Sequence, residues 1–515
     1  MGLIEPLPEH WDLSVDVVVV GYGYAGAVSA ISAHDHGAEV LLLEKGPTPG
    51  GISICSVGGI RVSADVGAAL AYLRRTNQGT TPDAVLEVFA EGMTRLPALV
   101  QKLAAEAGVD VRHRPAAGNY PFAGHDSFGF INVEPIDGFD PRQAYPDVEG
   151  SPEGARLFHM LERIIARRGI AVSLETPVRS LVVDEQGQVI GVIAEHEGRR
   201  SAIEARRGVI LATGGFEGSV ALQRQHWATG PVLSAAYRGN TGDGMRMAQA
   251  AGADVWHLFH YHGSYGFKHI DPSYPFGIRT KRLPDWVPGS APPEDVRMPW
   301  ILLDQRGRRF MNEYEPYMQD TGARPFERYD PVRQKFAALP AWMVLDATGI
   351  GLWPLGRPTW HEAGLGYRWS SDNSAEIANG MIQVAEDVSQ LAKLTAIPAD
   401  ILKQSLGHWN DACEQGVDHD WDRPAASMVP IARAPFYVTP VWPIVSNTQG
   451  GPTHDERQRV LRPDGSPIPR LFAAGEMGSL FGHLYLSGGN IAECFWGGWV
   501  AGTEVLGPSS PPASR

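Results

Sequence analysis

Gly21, Gly23 and Gly26 form a G-x-G-x-x-G pattern, and Glu44 follows 18 residues after the last of them. Three glycines and an acid at this spacing suit the binding of a dinucleotide. Gly21 permits a tight turn, Gly23 lets backbone approach a pyrophosphate, and Gly26 lets a helix pack closely on a strand. Glu44 can accept hydrogen bonds from a ribose. The elements that must position these residues are legible on either side. Val17-Val18-Val19-Val20 reads as a buried parallel strand, the small residues after Gly26 as a helix, and Val40–Leu43 as a second strand ending in the carboxylate. The N-terminus of that helix offers unpaired N–H groups and a positive dipole end to phosphates.

The pattern alone does not choose between nicotinamide and flavin. Two later segments do. Residues 207–216 read as a buried strand running into small residues, and they follow a hairpin at 178–192. Near the C-terminus, Leu471-Phe472-Ala473-Ala474-Gly475-Glu476-Met477 is again a strand ending in a glycine and an acid. It precedes Tyr485-Leu486-Ser487-Gly488-Gly489-Asn490 and an apolar, glycine-rich helical stretch. A first strand that binds ADP, closed by strands far along the chain, resembles the two-dinucleotide-binding-domain flavoproteins. More narrowly, the set resembles the fumarate reductase and 3-ketosteroid dehydrogenase flavoprotein family, from about residue 15 to about residue 505.

The resemblance implies an α/β fold, a Rossmann-like FAD domain with an inserted α+β cap domain. It implies non-covalent FAD, because residues 50–59 hold no histidine where covalently flavinylated relatives place theirs. The cofactor contacts it implies are Gly21, Gly23, Tyr24, Ala25, Gly26, Glu44 and Lys45, then Gly50, Gly51, Ser53, Ser56, Gly58 and Gly59. Further along come Val178, Ala212, Thr213, Gly214, Asp243, Gly475, Glu476, Gly489, Asn490 and Ile491.

The remaining composition sets bounds. A chain of 515 residues with 43% hydrophobic residues should form two or more domains. Its 44 basic against 58 acidic residues leave a charge of −14, which argues against nucleic acid or an anionic membrane surface as partner. No apolar run approaches the ~20 residues of a membrane span, and residues 1–13 lack the features of a signal peptide. Cys55, Cys413 and Cys494 form no C-x-x-C, so metal clusters are not indicated and a cytoplasmic location is expected.

Residues 64–108 have helical periodicity, and 111–151 read as a long irregular excursion. Composition shifts near residue 255 toward aromatics and proline. The expected organisation is an FAD-binding domain over 1–254 and 431–506, a cap over 255–430, and a disordered tail at 507–515. His257, His260 and His262 invite a metal reading, since 257 and 260 would share a helical face, but an aromatic surface or substrate wall is preferred.

Family position by family position, the substrate-binding charges are missing. Gly307–Glu313 matches a G-x-R-F-x-N-E segment; four residues beyond it, where fumarate reductases carry a proton-donating arginine, stands Tyr317, with Tyr314 the choice if the match slips by three. Asn447 replaces a carboxylate-binding histidine, and Tyr485-Leu486-Ser487 stands where a second arginine belongs. The Tyr-x-Ser-Gly-Gly pattern looks most like the 3-ketosteroid Δ4-(5α)-dehydrogenase branch. The resemblance then implies hydride transfer at flavin N5 and proton exchange by Tyr485, tuned by Ser487 and shared with Tyr317. The ketone oxygen would be held by the amides of Gly488 and Gly489, with Asn447 and Tyr314 nearby. The expected substrate is an apolar, steroid-like ketone, and the electron acceptor is unidentified. Another neutral cyclic ketone or terpenoid, a redox carrier, and a non-redox hydratase or isomerase are the alternatives.

Overall fold

The computed structural model describes residues 2–286 and 296–507. The tail expected at 507–515 lies, apart from Gly507, outside the described residues.

The valine-rich strand Leu13–Val20 is the centre of the first sheet. It pairs in parallel with Val40–Leu43 on one side and Arg199–Leu211 on the other. Arg199–Leu211 continues in parallel to Pro467–Ala473, so strands from both ends of the chain meet in one sheet. Val178–Val183 and Val189–His196 form the expected hairpin, and the latter runs antiparallel to Arg199–Leu211. The first helix, Tyr24–Asp35, is buried from Tyr24 through Ala33. A helix buried on all sides needs small residues at its contacts. It meets the C-terminal helix, Gly489–Glu504, at Gly498 and Gly502: a Cβ there would lie 2.8 Å from the Ala25 carbonyl and 2.5 Å from that of Ser29.

The 64–108 periodicity becomes two helices, Val66–Asn77 and Asp83–Ala107. The first is N-capped by Asp65, whose carboxylate accepts from the Ala68 amide at 2.7 Å, and left-handed Gln78 ends it. The excursion at 111–151 is less irregular than its composition suggests. Val111–Pro115 and Phe128–Val133 pair antiparallel, and the latter pairs with Ile60–Ser63 to make a three-stranded sheet. These strands are short and split by a Gly/Pro-rich loop, so their period-2 signal was too brief to register. Arg61, 1% exposed, ties that loop down. Its guanidinium lies 3.8 Å over the Phe130 ring and donates to the carbonyls of Ala116 and Ala117.

A second sheet runs in the order Ile301–Leu303, Ala341–Asp346, Phe436–Thr448, Tyr261–Lys268, Gly277–Thr280, Gly356–Arg357. Its long central strand, Phe436–Thr448, lies beyond the boundary expected at residue 430, and Leu233–Ser234 pairs with that strand from before residue 255. The cap boundaries of 255 and 430 therefore cut through this sheet. Composition shifts mark surface chemistry, whereas sheet membership follows pairing that the local sequence does not announce. The region around His257 is not helical either: His257 has φ +56°, and a strand begins at Tyr261.

Gly26 is the tightest point of the first sheet, since a Cβ there would sit 1.8 Å from the Gly21 carbonyl oxygen. Gly26→Ala should lower unfolding stability by at least ~2 kcal/mol and empty the purified protein of flavin. Gly407→Ala is the control. Gly407 lies in the helix Ala399–Gln415, and a Cβ there meets nothing within 4 Å. It should be neutral or stabilise by up to about 1 kcal/mol. Thermal unfolding and absorbance near 450 nm read both.

Candidate active site

A cleft of about 490 Å³ opens at the C-terminal ends of the parallel strands, bounded by Val20, Leu43, Ala212 and Ala474. This is where open α/β sheets bind ligands. Gly21, Gly23, Tyr24, Ala25, Glu44, Lys45, Gly50, Gly51, Ser53, Val178, Ala212, Thr213, Gly214, Asp243 and Glu476 line it. Glu44 is fixed at the end of its strand: its two oxygens accept from the amides of Tyr22 and Gly46 at 2.9 and 2.8 Å. Lys45 and Asp243 close the rim as an ion pair at 2.7 Å. The first helix has Gly23 as N-cap with no side-chain cap, so its opening turn faces the cleft without an internal anion.

Deeper in, a cavity of about 160 Å³ adjoins the cleft and shares Tyr24, Ser53, Glu476 and Cys494 with it. Ser56, Asn447, Tyr317, Tyr485, Ser487, Gly488, Asn490 and Ile491 line it, together with Cys55, His262, Arg279 and Arg282. Gly59 borders a third hollow with Arg61 and Ser487. Gly26, Gly58, Gly475 and Gly489 line neither the cleft nor the inner cavity. Gly58 and Gly475 have φ of +63° and +74°, and a Cβ on Gly489 would lie 2.4 Å from the Phe481 ring.

Four expectations change. Tyr314 stays outside the cavity; its hydroxyl donates to the Pro284 carbonyl at 2.6 Å. The amides meant for the ketone are already engaged: Gly488 N–H donates to the Tyr485 phenol oxygen at 3.1 Å, and Gly489 N–H to the Leu486 carbonyl at 2.7 Å. The αL conformation of Gly488 folds the turn back on Tyr485, which no linear motif reveals. Ser487 bears on the Tyr317 phenol, which it draws down against burial, and is not among the groups that act on Tyr485. Finally, Asp320, distant in sequence, faces the histidines: Oδ1 lies 3.6 Å from His260 Nε2 and 3.7 Å from His262 Nδ1.

A family described as "FAD binding domain" matches residues 16–491. The chain belongs to this family of flavoproteins. It is similar to a 3-oxosteroid 1-dehydrogenase of Mycolicibacterium smegmatis, 26% identical over 97% of this chain and 98% of the other. It is also similar to a 4-oxocyclohexanecarboxylate 2-dehydrogenase of Sinomonas cyclohexanicum, 25% identical over 96% and 93%. Its fold matches the 3-ketosteroid Δ1-dehydrogenase of Sterolibacterium denitrificans in complex with 1,4-androstadiene-3,17-dione, with a TM-score of 0.79 at 22% identity and 96% and 99% coverage. For the Δ4-(5α)-dehydrogenase of Rhodococcus jostii RHA1 the TM-score is 0.67, at 22% identity and 97% and 98% coverage. The protein is an FAD-dependent oxidoreductase acting on CH–CH groups.

The flavoprotein's cleft fits its cofactor on structural grounds. Gly21 (φ +104°) and Gly50 (φ +105°) have conformations that a side chain resists, and a Cβ on Gly50 would strike Ile54 at 2.5 Å. These turns bring the start of the Tyr24–Asp35 helix, which has no side-chain cap, to the cleft wall, an arrangement that suits a diphosphate. Sequence reasoning missed Tyr120, Asp320, Arg279 and Arg282. Tyr120 sits edge-on to Tyr317 with ring centroids 6.2 Å apart. Its hydroxyl donates to Asp320 Oδ2 at 2.6 Å, and the Tyr485 amide donates to the same oxygen at 2.9 Å. A single tyrosine inside a Gly/Pro-rich loop carries no signal by itself.

Burial dominates the electrostatics of the flavoprotein's site. It pushes the phenols of Tyr317 and Tyr485 upward; Tyr485 is pulled back by the amides of Asn490 and Gly488. Burial works against the Asp320 carboxylate, yet His260 and His262 hold it well below its usual range. Glu493 shows the opposite balance. It is 4% exposed, and burial pushes its carboxyl up to about 8, although it accepts from the Leu480 amide at 2.7 Å and Asn490 Nδ2 at 3.1 Å.

Because the folded-state value lies above the unfolded one, stability from neutral Glu493 is complete below about pH 4.5. It is lost as pH rises toward about 8. Glu493→Gln should therefore raise the unfolding temperature of the parent more at pH 8.5 than at pH 5. A gain that is equal at both values would remove Glu493 as the titrating group.

Proposed function

We propose that the enzyme desaturates, or in reverse saturates, a C–C bond next to a ketone on a ring. The observation that carries this reading is the pair Tyr317 and Tyr485 on one cavity wall, beside the turn that starts the C-terminal helix. When bound, FAD supplies the acceptor or donor for the hydride at the β carbon. The rest of the reaction falls to the chain.

Tyr485 is suited to hold the ketone oxygen. Two amides, of Gly488 and Asn490, donate to its phenol oxygen at 3.1 and 3.4 Å and so strengthen its O–H as a donor. Enolate charge developing on the ketone is met by that donor and, through it, by the helix N-terminus. Tyr317 takes or gives the α proton. Ser487 and Arg282 offset the burial that disfavours its phenolate. Tyr120 and Asp320 position Tyr317 and the Tyr485 turn, one by its ring edge and the other through the Tyr485 amide.

The steroid-like ketone is supported by the 3-oxosteroid dehydrogenase among the relatives. The cavity volume favours a second reading, a compact cyclic ketone. At about 160 Å³ it falls below the ~300–1,000 Å³ of pockets that enclose drug-sized ligands. The relative that acts on a 4-oxocyclohexane ring supports this reading too. Three free thiols support a reducing compartment.

Tyr317→Phe and Tyr485→Phe should each lower turnover with a phenazine dye by about 10²–10⁴-fold at unchanged FAD content. Near-native rates in both variants would return these tyrosines to a packing role. Fumarate and succinate should neither oxidise nor reduce the flavin at useful rates. A dicarboxylate needs a cation at both ends, and Tyr317, Leu486 and Asn447 occupy the family's charged positions. Acid precipitation should release all of the flavin as FAD; flavin left on the pelleted protein would contradict non-covalent binding.

A further inference from the structure

The second sheet places two arginines side by side, and among the described residues no carboxylate pairs with either. Arg279 and Arg357 are opposite each other in the antiparallel pairing of Gly277–Thr280 with Gly356–Arg357. Like charges directly opposite on a ladder destabilise it. The Nε atoms of both are buried and have no hydrogen-bond partner among the described residues. The charged and polar groups that act on Arg279 are Cys55, Arg282 and Tyr317; those that act on Arg357 are Arg279 and Arg282. No carboxylate is among them. Burial lowers Arg279 to about 10, with the Arg282 charge adding to it, and lowers Arg357 to about 9, with Arg279 and Arg282 adding to it. Arg282 differs, because Asp285 pairs with it at 3.1 Å.

Two other buried guanidinia of this sheet region are paired with carboxylates. Arg309 meets Glu313 at 2.8 Å and Asp418 at 2.9 Å, and Arg423 meets Glu313 at 3.2 Å. The uncompensated pair stands at the cavity instead: Arg279 lines it together with Tyr317 and Tyr485. The diphosphate of the cofactor does not account for this charge, since the glycine turn and the helix N-terminus that suit it line the outer cleft, where Arg279 and Arg357 are absent.

We infer that the substrate is an oxo acid, a compact ring ketone whose far end carries a carboxylate held by Arg279 with Arg357 behind it. This rests on the reading of the same cavity as a ketone site. A guanidinium fork matches a carboxylate with two parallel hydrogen bonds, so it fixes orientation as well as charge. Anchoring one end at the arginines and the ketone oxygen at Tyr485 aligns the ring bond between them for removal of one proton and one hydride. The anchor itself makes and breaks no bond. It also explains why the three neutral family positions and a charged substrate are compatible: the charge sits away from the reacting carbons.

The test compares 4-oxocyclohexanecarboxylate, its methyl ester and 4-androstene-3,17-dione with the FAD-loaded enzyme, by anaerobic flavin bleaching and by dye-coupled turnover. The free acid should exceed the ester in kcat/KM by about 10²–10³-fold, because the ester leaves the half-buried arginines unpaired. Arg279→Gln should shrink that ratio to under tenfold, chiefly through KM, and Arg279→Lys should restore part of it. If Arg279→Gln does not load FAD, Arg357→Gln serves in its place, with the same shrinkage expected. The inference is overturned if the parent enzyme uses the ester or the steroid as well as the acid. It is overturned equally if the glutamine variant keeps the ratio. In those cases ketone chemistry stands. If no ketone, charged or neutral, bleaches the flavin, the proposed reaction fails and the inference falls with it.

Discussion

Gly26 rests against the carbonyl of Gly21 so closely that no other residue fits, and much of the architecture follows from that contact. It presses the first helix onto the valine strand and buries that helix from Tyr24 to Ala33. A helix so enclosed must be covered on its other side. The C-terminal helix does this by presenting Gly498 and Gly502 to the first helix's backbone. The hydroxyl of Ser32 also donates to the Trp499 carbonyl at 2.8 Å. Residues more than 460 apart are thereby locked together, and two helix N-termini arrive at neighbouring walls of one hollow. One suits a diphosphate; the other turns its amides to the Tyr485 phenol oxygen.

The second sheet supplies the facing wall and a different economy of charge. Its strand Tyr261–Lys268 brings His262 against the Tyr485 ring, with centroids 4.5 Å apart. Asp320 lies beneath them, 1% exposed, and accepts from Tyr120 and the Tyr485 backbone. An ionised carboxylate at that depth persists only when donors surround it, and here the donors come from the elements that must be held in register at the site. Asp320 thus binds the loop carrying Tyr120 to the turn carrying Tyr485. The arginines on the neighbouring strands invert the pattern. Their Nε donors find no acceptor among the described residues, and a protein interior tolerates that poorly unless a ligand completes the site.

Several elements were legible from the chain alone. The glycine turn, its flanking strands, the 178–192 hairpin and the helices between 64 and 108 follow from local rules of period and conformation. Of the motif-matched residues Tyr317, Asn447 and Leu486, the first two line the inner cavity and Leu486 does not. The strands within 111–151 escaped because each is only five or six residues long. The membership of Phe436–Thr448 in the second sheet escaped because it pairs with strands that lie up to about 210 residues before it.

What the sequence determined by itself was dinucleotide binding, written in short contiguous segments whose backbone geometry is local, and, through the family resemblance those segments carry together, the flavin and the class of chemistry. What only the tertiary structure decided was the environment of each reacting group. Whether the Gly488 amide meets a ketone or the Tyr485 phenol depends on how one turn folds back. Whether Ser487 serves Tyr317 or Tyr485 depends on which side chain reaches it in space. That Arg279 faces Arg357 rather than an acid is set by register between strands with some 75 residues between them. Hydrogen bonding and charge act over a few ångströms, and those distances are fixed by long-range packing, on which the order of residues along the chain is silent.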